Sequence, residues 1–133
     1  MEKSFEIVGI YFGNNRTFPD LNDLLHEYGR NPHCGNKMKQ KFQNICNARV
    51  RYWLKGWHTE KPVVIHYEFG EADYKRDVSN VVSFGVKVIE DSLQVCKVIK
   101  NDSPKYLRNY THEVRYVSKT EKPYIKVTIK EVN

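Results

Sequence analysis

The chain has 133 residues and a formal net charge of +6, from 22 Lys and Arg against 16 Asp and Glu. Its length suits one domain over residues 1–133, and its 40% hydrophobic and 13% aromatic content argues against disorder. The charge excess is compatible with a polyanionic partner without identifying one, and no apolar run approaches the roughly 18 residues of a membrane span.

The first half of the chain predicts one strand and two helices. Alternating β-branched and aromatic residues predict a strand over residues 5–12. Apolar residues at helical spacing predict a helix over residues 21–28 that stops at Gly29, followed by a loop over residues 30–35. A long helix is predicted over residues 36–55. Its apolar stripe, which we expect in the core, consists of Met38, Phe42, Ile45, Cys46, Val50 and Trp53.

The second half predicts a strand, a helix and two further strands. The strand covers residues 62–69, and a polar connector over residues 74–80 leads to a helix over residues 80–96. The last strands are expected at residues 108–117 and 124–132. The order β-α-α-β-α-β-β predicts an α+β fold, a single two-layer domain with helices packed on a mixed β-sheet.

The cysteines indicate a reducing compartment. The chain has three cysteines, Cys34, Cys46 and Cys96. Their number is odd and they form no CxxC motif, so we expect no disulfide framework. The N-terminal residues lack the charged lead and apolar core of a signal peptide. We therefore expect a cytoplasmic protein that does not associate with membranes.

The third predicted helix has two distinct faces. Its core stripe, at i, i+4, i+7 and i+11 spacing, is Val82, Val86, Ile89 and Leu93. About 200° away lies a polar stripe of Asn80, Ser83, Lys87 and Asp91. The simplest interpretation is a solvated face with Lys87 and Asp91 as an ordinary i, i+4 ion pair.

A second interpretation places a metal site at this helix. Asp77, Asp102 and Asp91 would converge on a divalent cation such as Mg²⁺, which prefers carboxylate oxygens. The ion would activate a water for attack on a phosphodiester, and Lys87 would stabilise the developing charge. If the preceding segment is extended, Asp73 and Ser79 lie on the same side as Asp77, because alternate residues share a face.

Three segments of this region follow a recognisable pattern. They are RDVSN at 76–80, FGVKVIEDSL at 84–93 and VIKND at 98–102. In these segments the chain resembles the RusA-type Holliday-junction resolvases of phages and prophages, whose pattern is Arg-Asp-x-Asp-Asn, a helix with Lys and Asp-Ala-Leu, and an Asp-Asp or Asn-Asp pair. The interval from Asn80 to Lys87 is one turn longer than in the best-known member and looks like the variety common in phages of Gram-positive bacteria. The GNNR segment at 13–16 resembles the family's Asn-Asn-Arg segment.

The resemblance implies a homodimeric endonuclease that depends on Mg²⁺, with Mn²⁺ as an alternative, and uses no nucleotide cofactor. Its substrate would be branched DNA, four-way junctions above all, which the family nicks symmetrically in two strands. By position, Asp77 and Asp102 match metal-binding aspartates and Lys87 matches the catalytic lysine. Asn80 and Asp91 match motif positions with partly structural roles.

Ser79 departs from the family pattern, because the pattern has its second aspartate there. A neutral hydroxyl is a weak ligand for Mg²⁺. Three accounts remain open. Ser79 could reach the ion through a water, or Asp73, Glu71 or Asp91 could replace the missing charge. Alternatively, the protein is a catalytically degenerate member that binds DNA without cutting it.

On their own, the basic residues of the long predicted helix would indicate only a solvated face. Given the resemblance, we expect them and the basic residues around the acidic segment to form a nucleic-acid surface. The predicted phosphate contacts are Lys37, Lys41, Arg51, Lys75, Arg76 and Lys100. Trp53, Trp57 and Tyr74 are candidates for stacking on unpaired bases, although the position of Trp53 on the apolar stripe favours core packing. An RNA-binding α+β protein is a weaker alternative, because no RNP-type aromatic motif is present.

Overall fold

The computed structural model describes residues 1–10, 18–72, 77–118 and 120–133. Three helices pack on a four-stranded mixed sheet, which confirms the predicted α+β fold and the order β-α-α-β-α-β-β. The elements are β1 (Glu2–Val8), α1 (Leu21–Arg30), α2 (Pro32–Leu54), β2 (Val63–Glu71), α3 (Val78–Val95), β3 (Leu107–Tyr116) and β4 (Tyr124–Glu131).

The strands lie in the order β1-β4-β2-β3. Strand β4 is antiparallel to both of its neighbours, whereas β2 and β3 are parallel. Parallel neighbours need a crossover connection, because the chain must return to the same end of the sheet. Helix α3 lies in that connection, so the sheet topology places it between β2 and the loop that leads into β3.

The core lies between the sheet and the helices. Residues alternate along β4, where Ile125, Val127 and Ile129 are buried and the residues between them are not. The predicted apolar stripe of α3 is confirmed, because Val82, Val86, Ile89 and Leu93 are all buried. Burying an aliphatic side chain of this size contributes about 1.5–3 kcal/mol.

The junction between α1 and α2 differs from the prediction. Gly29 lies inside α1, and the predicted loop over residues 30–35 is wrong, because α2 already begins at Pro32. Asn31 is both the C-cap residue of α1 and the N-cap residue of α2. Its Oδ1 accepts a hydrogen bond of 2.9 Å from the Cys34 N–H. Proline suits the first position of a helix, since the missing N–H would have had no partner there.

The end of α2 corrects the expectation for Trp53. Its side chain is 45% exposed, whereas Leu54 is buried. The buried stripe follows every fourth residue, and four residues turn a helix by about 40° beyond a full circle. By the last turn the buried direction has therefore moved from the Trp53 position to Leu54. Trp57 is partly buried and packs against the core.

The start of α3 corrects the expectation of an extended segment through Ser79. Helix α3 begins at Val78, so Ser79 is helical and Asp77 is the N-cap residue. The shared-side argument for Asp77 and Ser79 is therefore wrong, because a helix does not alternate its side chains between two faces. Asp73 lies outside the described residues.

Strand boundaries shift by only a few residues. Strand β1 begins at Glu2 rather than residue 5, and β2 extends to Glu71. The end of the first predicted strand and the GNNR segment lie outside the described residues.

Cys34, Cys46 and Cys96 are all free thiols. Within the part of the chain that is described, none of the helices combines the length and the apolar character that crossing a bilayer requires.

Candidate functional site

Lys87 stands at the centre of a cluster of acidic residues on the exposed side of α3. Its Nζ lies 3.3 Å from Oδ1 of Asp91 and 3.6 Å from Oδ2 of Asp102. Asp91 is one turn further along the same helix, which is the i, i+4 pairing that the sequence predicts. Asp102 comes from the loop after α3. The structure therefore brings together Lys87, Asp91 and Asp102, and we call these three residues the Lys87 cluster.

The chain reversal after α3 positions Asp102. Lys97 adopts the left-handed conformation (φ 60°), and the Val98 N–H donates to the Leu93 carbonyl at 2.8 Å. Val98 and Ile99 are both buried, which anchors the start of the loop. The Asn101 Oδ1 then accepts a hydrogen bond of 2.9 Å from the Ser103 N–H, a local turn that fixes the backbone around Asp102.

Electrostatics couple Glu90 to this cluster. Burial raises the pKa of Glu90, the charge of Lys87 opposes that shift, and the nearby charges of Asp102 and Asp91 add to it. The hydroxyl of buried Tyr67 donates to Glu90 Oε2 at 3.5 Å. The sequence interpretation missed Glu90, because it considered only the core stripe and the polar stripe. The signal was its i, i+3 spacing from Lys87, which places the two side chains near one another.

Lys87 remains an ammonium ion. The hydrogen bond and charge of Asp91 raise its pKa, partial burial opposes this, and Asp102 adds a further increase. The side chain is nevertheless 57% exposed, and those of Asp91 and Asp102 are 33% and 44% exposed. The cluster is thus open to a large substrate rather than enclosed in a cavity.

Asp77 lies apart from the Lys87 cluster. It is the exposed N-cap of α3, ten residues before Lys87, and its side chain makes no capping hydrogen bond. At 1.5 Å per residue, this interval spans about 15 Å of helix axis. Ser79 is exposed and Asn80 is half-buried in the first turn, where the Ser79 carbonyl accepts a hydrogen bond from Ser83 Oγ. Asp73, like Lys75 and Arg76, lies outside the described residues.

Asp91 and Asp102 supply the kind of oxygen ligand that a hard cation takes. Mg²⁺ usually binds one or two carboxylates together with water and phosphate oxygens, so the donor chemistry of this pair fits the ion. Over residues 1–10, 18–72, 77–118 and 120–133, no three or more His, Cys, Asp or Glu side chains are grouped so that they could hold a metal. Asp77, Asp91 and Asp102 all lie within these residues, so the single chain brings Asp91 and Asp102 together without Asp77.

Helix α2 presents a basic surface next to this cluster. Lys37, Lys41 and Arg51 are exposed, and the helix contains no Asp or Glu. Its N-terminal half forms one wall of a groove of about 350 Å³, whose other wall includes Asp91. The residues from α2 that line this groove are Asn36, Lys39, Gln40 and Gln43. Gln43 also donates to Ser92 Oγ at 2.9 Å, which ties the two helices together below the groove.

Lys100 is an exposed residue of the loop after α3, beside a cleft whose lining also includes Glu60. It lies two residues before Asp102 and lines this cleft of about 720 Å³ together with Lys97 and His58.

A comparison with models of known protein families found no match, and a comparison with curated proteins found no significant relative. The family resemblance therefore depends on the three sequence segments around Asp77, Lys87 and Asp102.

Proposed function

We propose that the protein is a metal-dependent endodeoxyribonuclease that resolves four-way DNA junctions by paired, symmetric nicks. The observation that supports this most directly is the 3.6 Å contact between Lys87 and Asp102. These residues match the catalytic lysine and a metal-binding aspartate of the RusA pattern. They lie in separate segments of the chain, so their contact in space is an independent point in favour of the resemblance.

In this proposal Asp91 and Asp102 would hold Mg²⁺ or Mn²⁺. Asp77, which the resemblance carries over as a metal ligand, lies at the far end of α3 and would not reach the same ion within one chain. A bound ion supplies Lewis-acid stabilisation of a scissile phosphate and a more acidic water. Lys87 acts electrostatically as an ammonium ion, which is the form of an ordinary lysine at neutral pH, and Asp91 and Asp102 raise its pKa further. A fixed ammonium beside the phosphate stabilises the charge that develops on its oxygens and on the leaving group.

The basic residues of α2 would hold the DNA backbone. Lys37, Lys41 and Arg51 are exposed on a helix without carboxylates. Lys37 and Lys41 line a surface depression that shares Asn36 and Gln40 with the groove that reaches Asp91. Lys100 lies next to Asp102 and would contact the same strand, and Lys75 and Arg76 keep this role from the sequence. Contacts of this type depend strongly on salt and little on base sequence.

The proposal includes a homodimer in the cytoplasm. A four-way junction has approximate two-fold symmetry, and two symmetric nicks require two active sites. Two identical subunits related by a two-fold axis meet that geometry. The free thiols of Cys34, Cys46 and Cys96 are compatible with a reducing compartment.

The second candidate is a protein that binds DNA junctions without cutting them. Ser79 favours it, because the family pattern has a metal-binding aspartate at this position. The ion pairs of Asp91 and Asp102 with Lys87 also favour it, since they already balance part of the carboxylate charge. In this case the basic face of α2 would still bind branched DNA.

Cleavage of a synthetic four-way junction with Mg²⁺ or Mn²⁺ separates the two candidates. The nuclease proposal expects paired nicks from the wild type and from Glu2→Gln, an exposed control, and none from Asp102→Asn. Retained cutting by Asp102→Asn would refute the site. Tight binding without cutting, together with a gain of cutting in Ser79→Asp, would favour the second candidate. Preferential binding of RNA would contradict both.

A further inference from the structure

Two aromatic side chains are exposed together at the end of α2. Tyr52 is 71% exposed and Trp53 is 45% exposed. Their ring centroids lie 6.0 Å apart at an angle of 86°, an edge-to-face contact that fixes the two rings relative to one another. The pair therefore presents aromatic surface to solvent in a defined geometry.

The surroundings of the aromatic pair are cationic. Arg49, Arg51 and Lys55 are exposed within one turn of it, and α2 has no acidic residue that would balance them. A second copy of this chain docking on the same patch would bring like charges together, which disfavours self-association there. An anionic partner with flat apolar groups would pair with the positive charges and pack against the aromatic rings.

We propose that Trp53 and Tyr52 form a stacking platform for unpaired bases of single-stranded DNA. The inference rests on the proposed DNA-binding function and assigns to Trp53 the stacking role that the sequence interpretation ranked below core packing. Single-stranded DNA offers phosphates to Arg49, which lies one turn before Trp53 on the same side of α2, while its bases stack on the rings. This stacking tolerates any base sequence.

The position of the platform suits a strand that leaves the Lys87 cluster. Gln43 lines the groove beside Asp91, and Trp53 lies ten residues further along the same helix. The interval is about 15 Å along the helix axis, at 1.5 Å per residue. Arg51 lies between the groove and the end of α2 and is exposed. Ten residues at 100° each leave Trp53 about 80° away from Gln43 around the axis, so one strand would wind partly around α2 to contact both the groove and the rings.

Fluorescence tests the platform directly, because the chain has two tryptophans. Trp57→Phe leaves Trp53 as the single reporter, and Trp53→Phe leaves Trp57, whose ring packs against the core with Lys3 Nζ 5.9 Å from its centroid. Titration with a thymidine oligonucleotide should quench Trp53 and leave Trp57 nearly unchanged. Binding detected by anisotropy without quenching of Trp53 overturns the proposal.

Affinity measurements give the second readout. Trp53→Ala should weaken binding of the oligonucleotide by about 5- to 150-fold, the range for loss of one stacked base, and duplex binding by less. Val95→Ala, which removes another exposed apolar side chain, should bind as the wild type does. Arg51→Gln should instead lower the salt slope by about one for each lost phosphate contact.

The outcomes separate this inference from the proposed function. Absence of any DNA binding by the wild type contradicts both. Junction binding that is equally tight in the wild type and Trp53→Ala, at matched melting temperatures, removes the platform alone. Sedimentation that shows a wild-type dimer lost in Trp53→Ala, with DNA affinity unchanged, makes the patch a protein interface and also overturns the proposal.

Discussion

The ammonium group of Lys87 lies 3.6 Å from Oδ2 of Asp102 and 3.3 Å from Oδ1 of Asp91. One lysine therefore links the exposed side of α3 to the loop that follows the helix. Solvent reaches all three side chains, so their ion pairs contribute little to the stability of the fold.

Removing the ion pair between Lys87 and Asp102 should lower the free energy of unfolding only slightly. A double-mutant cycle of Lys87→Met and Asp102→Asn should give a coupling free energy of about 0.2–1 kcal/mol, because water and salt screen an exposed pair. Urea unfolding at low ionic strength measures it. A parallel cycle of Lys87→Met with the distant Glu2→Gln should be additive. A Lys87–Asp102 coupling well above 2 kcal/mol would contradict the exposed geometry.

Truncating a buried residue in the core stripe of α3 should lower the free energy of unfolding far more than truncating an exposed residue of the same helix. Leu93 is fully buried, so Leu93→Ala should lower the free energy of unfolding by about 2–5 kcal/mol through lost burial and a residual cavity. Val95 lies two residues away and is 53% exposed, and Val95→Ala should change stability by less than about 0.5 kcal/mol. Equal effects in urea unfolding would show that α3 packs with a different face.

Replacing each of two helical glycines by alanine should change the stability of the protein in opposite directions. A Cβ at Gly29 meets nothing within 4 Å, so Gly29→Ala should stabilise the protein by up to about 1 kcal/mol through helix propensity. A Cβ at Gly35 would overlap the ring of Tyr28, and relieving that overlap should cost about 1–3 kcal/mol.

Thermal or urea unfolding of the two glycine variants checks the packing of α1 on α2. The Tyr28 ring should cause the cost at Gly35, so adding Tyr28→Ala should make Gly35→Ala less damaging than it is alone. The hydrogen bond from the Tyr28 hydroxyl to Asn36 Oδ1 is lost in both backgrounds that contain Tyr28→Ala and therefore cancels. Destabilisation by Gly35→Ala that does not depend on Tyr28 contradicts the overlap.

Periodicity predicted those parts of the fold in which one face is buried throughout. The stripe from Val82 to Leu93 is such a case, because every member faces the sheet. Periodicity failed where a helix ends. Asn31 and Pro32 resemble a loop in sequence, yet they cap one helix and start the next. At Trp53 the buried direction has already rotated past the side chain, which the pattern alone does not reveal.

The candidate site was predictable in part, for a related reason. The Lys87–Asp91 contact follows from helix spacing, whereas the approach of Asp102 depends on the turn at Lys97, whose conformation no periodicity encodes. Glu90 was missed because it lies between the two stripes. Its link to the Lys87 cluster depends on burial beside Tyr67, which only the three-dimensional packing shows.

The open face of the sheet carries a pair that should control stability at extreme pH. The Tyr124 hydroxyl donates to Glu68 Oε2, and this bond holds the pKa of Glu68 below its usual range, with Arg115 and Lys126 adding to the shift and burial opposing it. Burial, together with Glu68, raises the pKa of Tyr124 to about 12. Tyr124→Phe should lower the free energy of unfolding at pH 7 by about 1.5–3 kcal/mol, since a charged acceptor loses its donor.

The sign of the pH dependence follows from both shifts. Because folding lowers the pKa of Glu68, its contribution is complete above the unfolded value near 4.3 and is lost as pH falls through the folded pKa. Because folding raises the pKa of Tyr124, its contribution is complete below about pH 10 and is lost as pH rises towards 12. Urea unfolding between pH 3 and pH 11 measures both ends.

Differences between variants isolate this pair from the other titrating groups. Relative to the wild type, Tyr124→Phe should lose stability less steeply below pH 4 and above pH 10. Glu68→Gln should flatten the acid limb in the same way. Glu2→Gln is the control, because Glu2 is an exposed carboxylate on the edge strand β1. A profile of Tyr124→Phe parallel to the wild type at both ends would mean that the hydroxyl does not bind the charged form of Glu68.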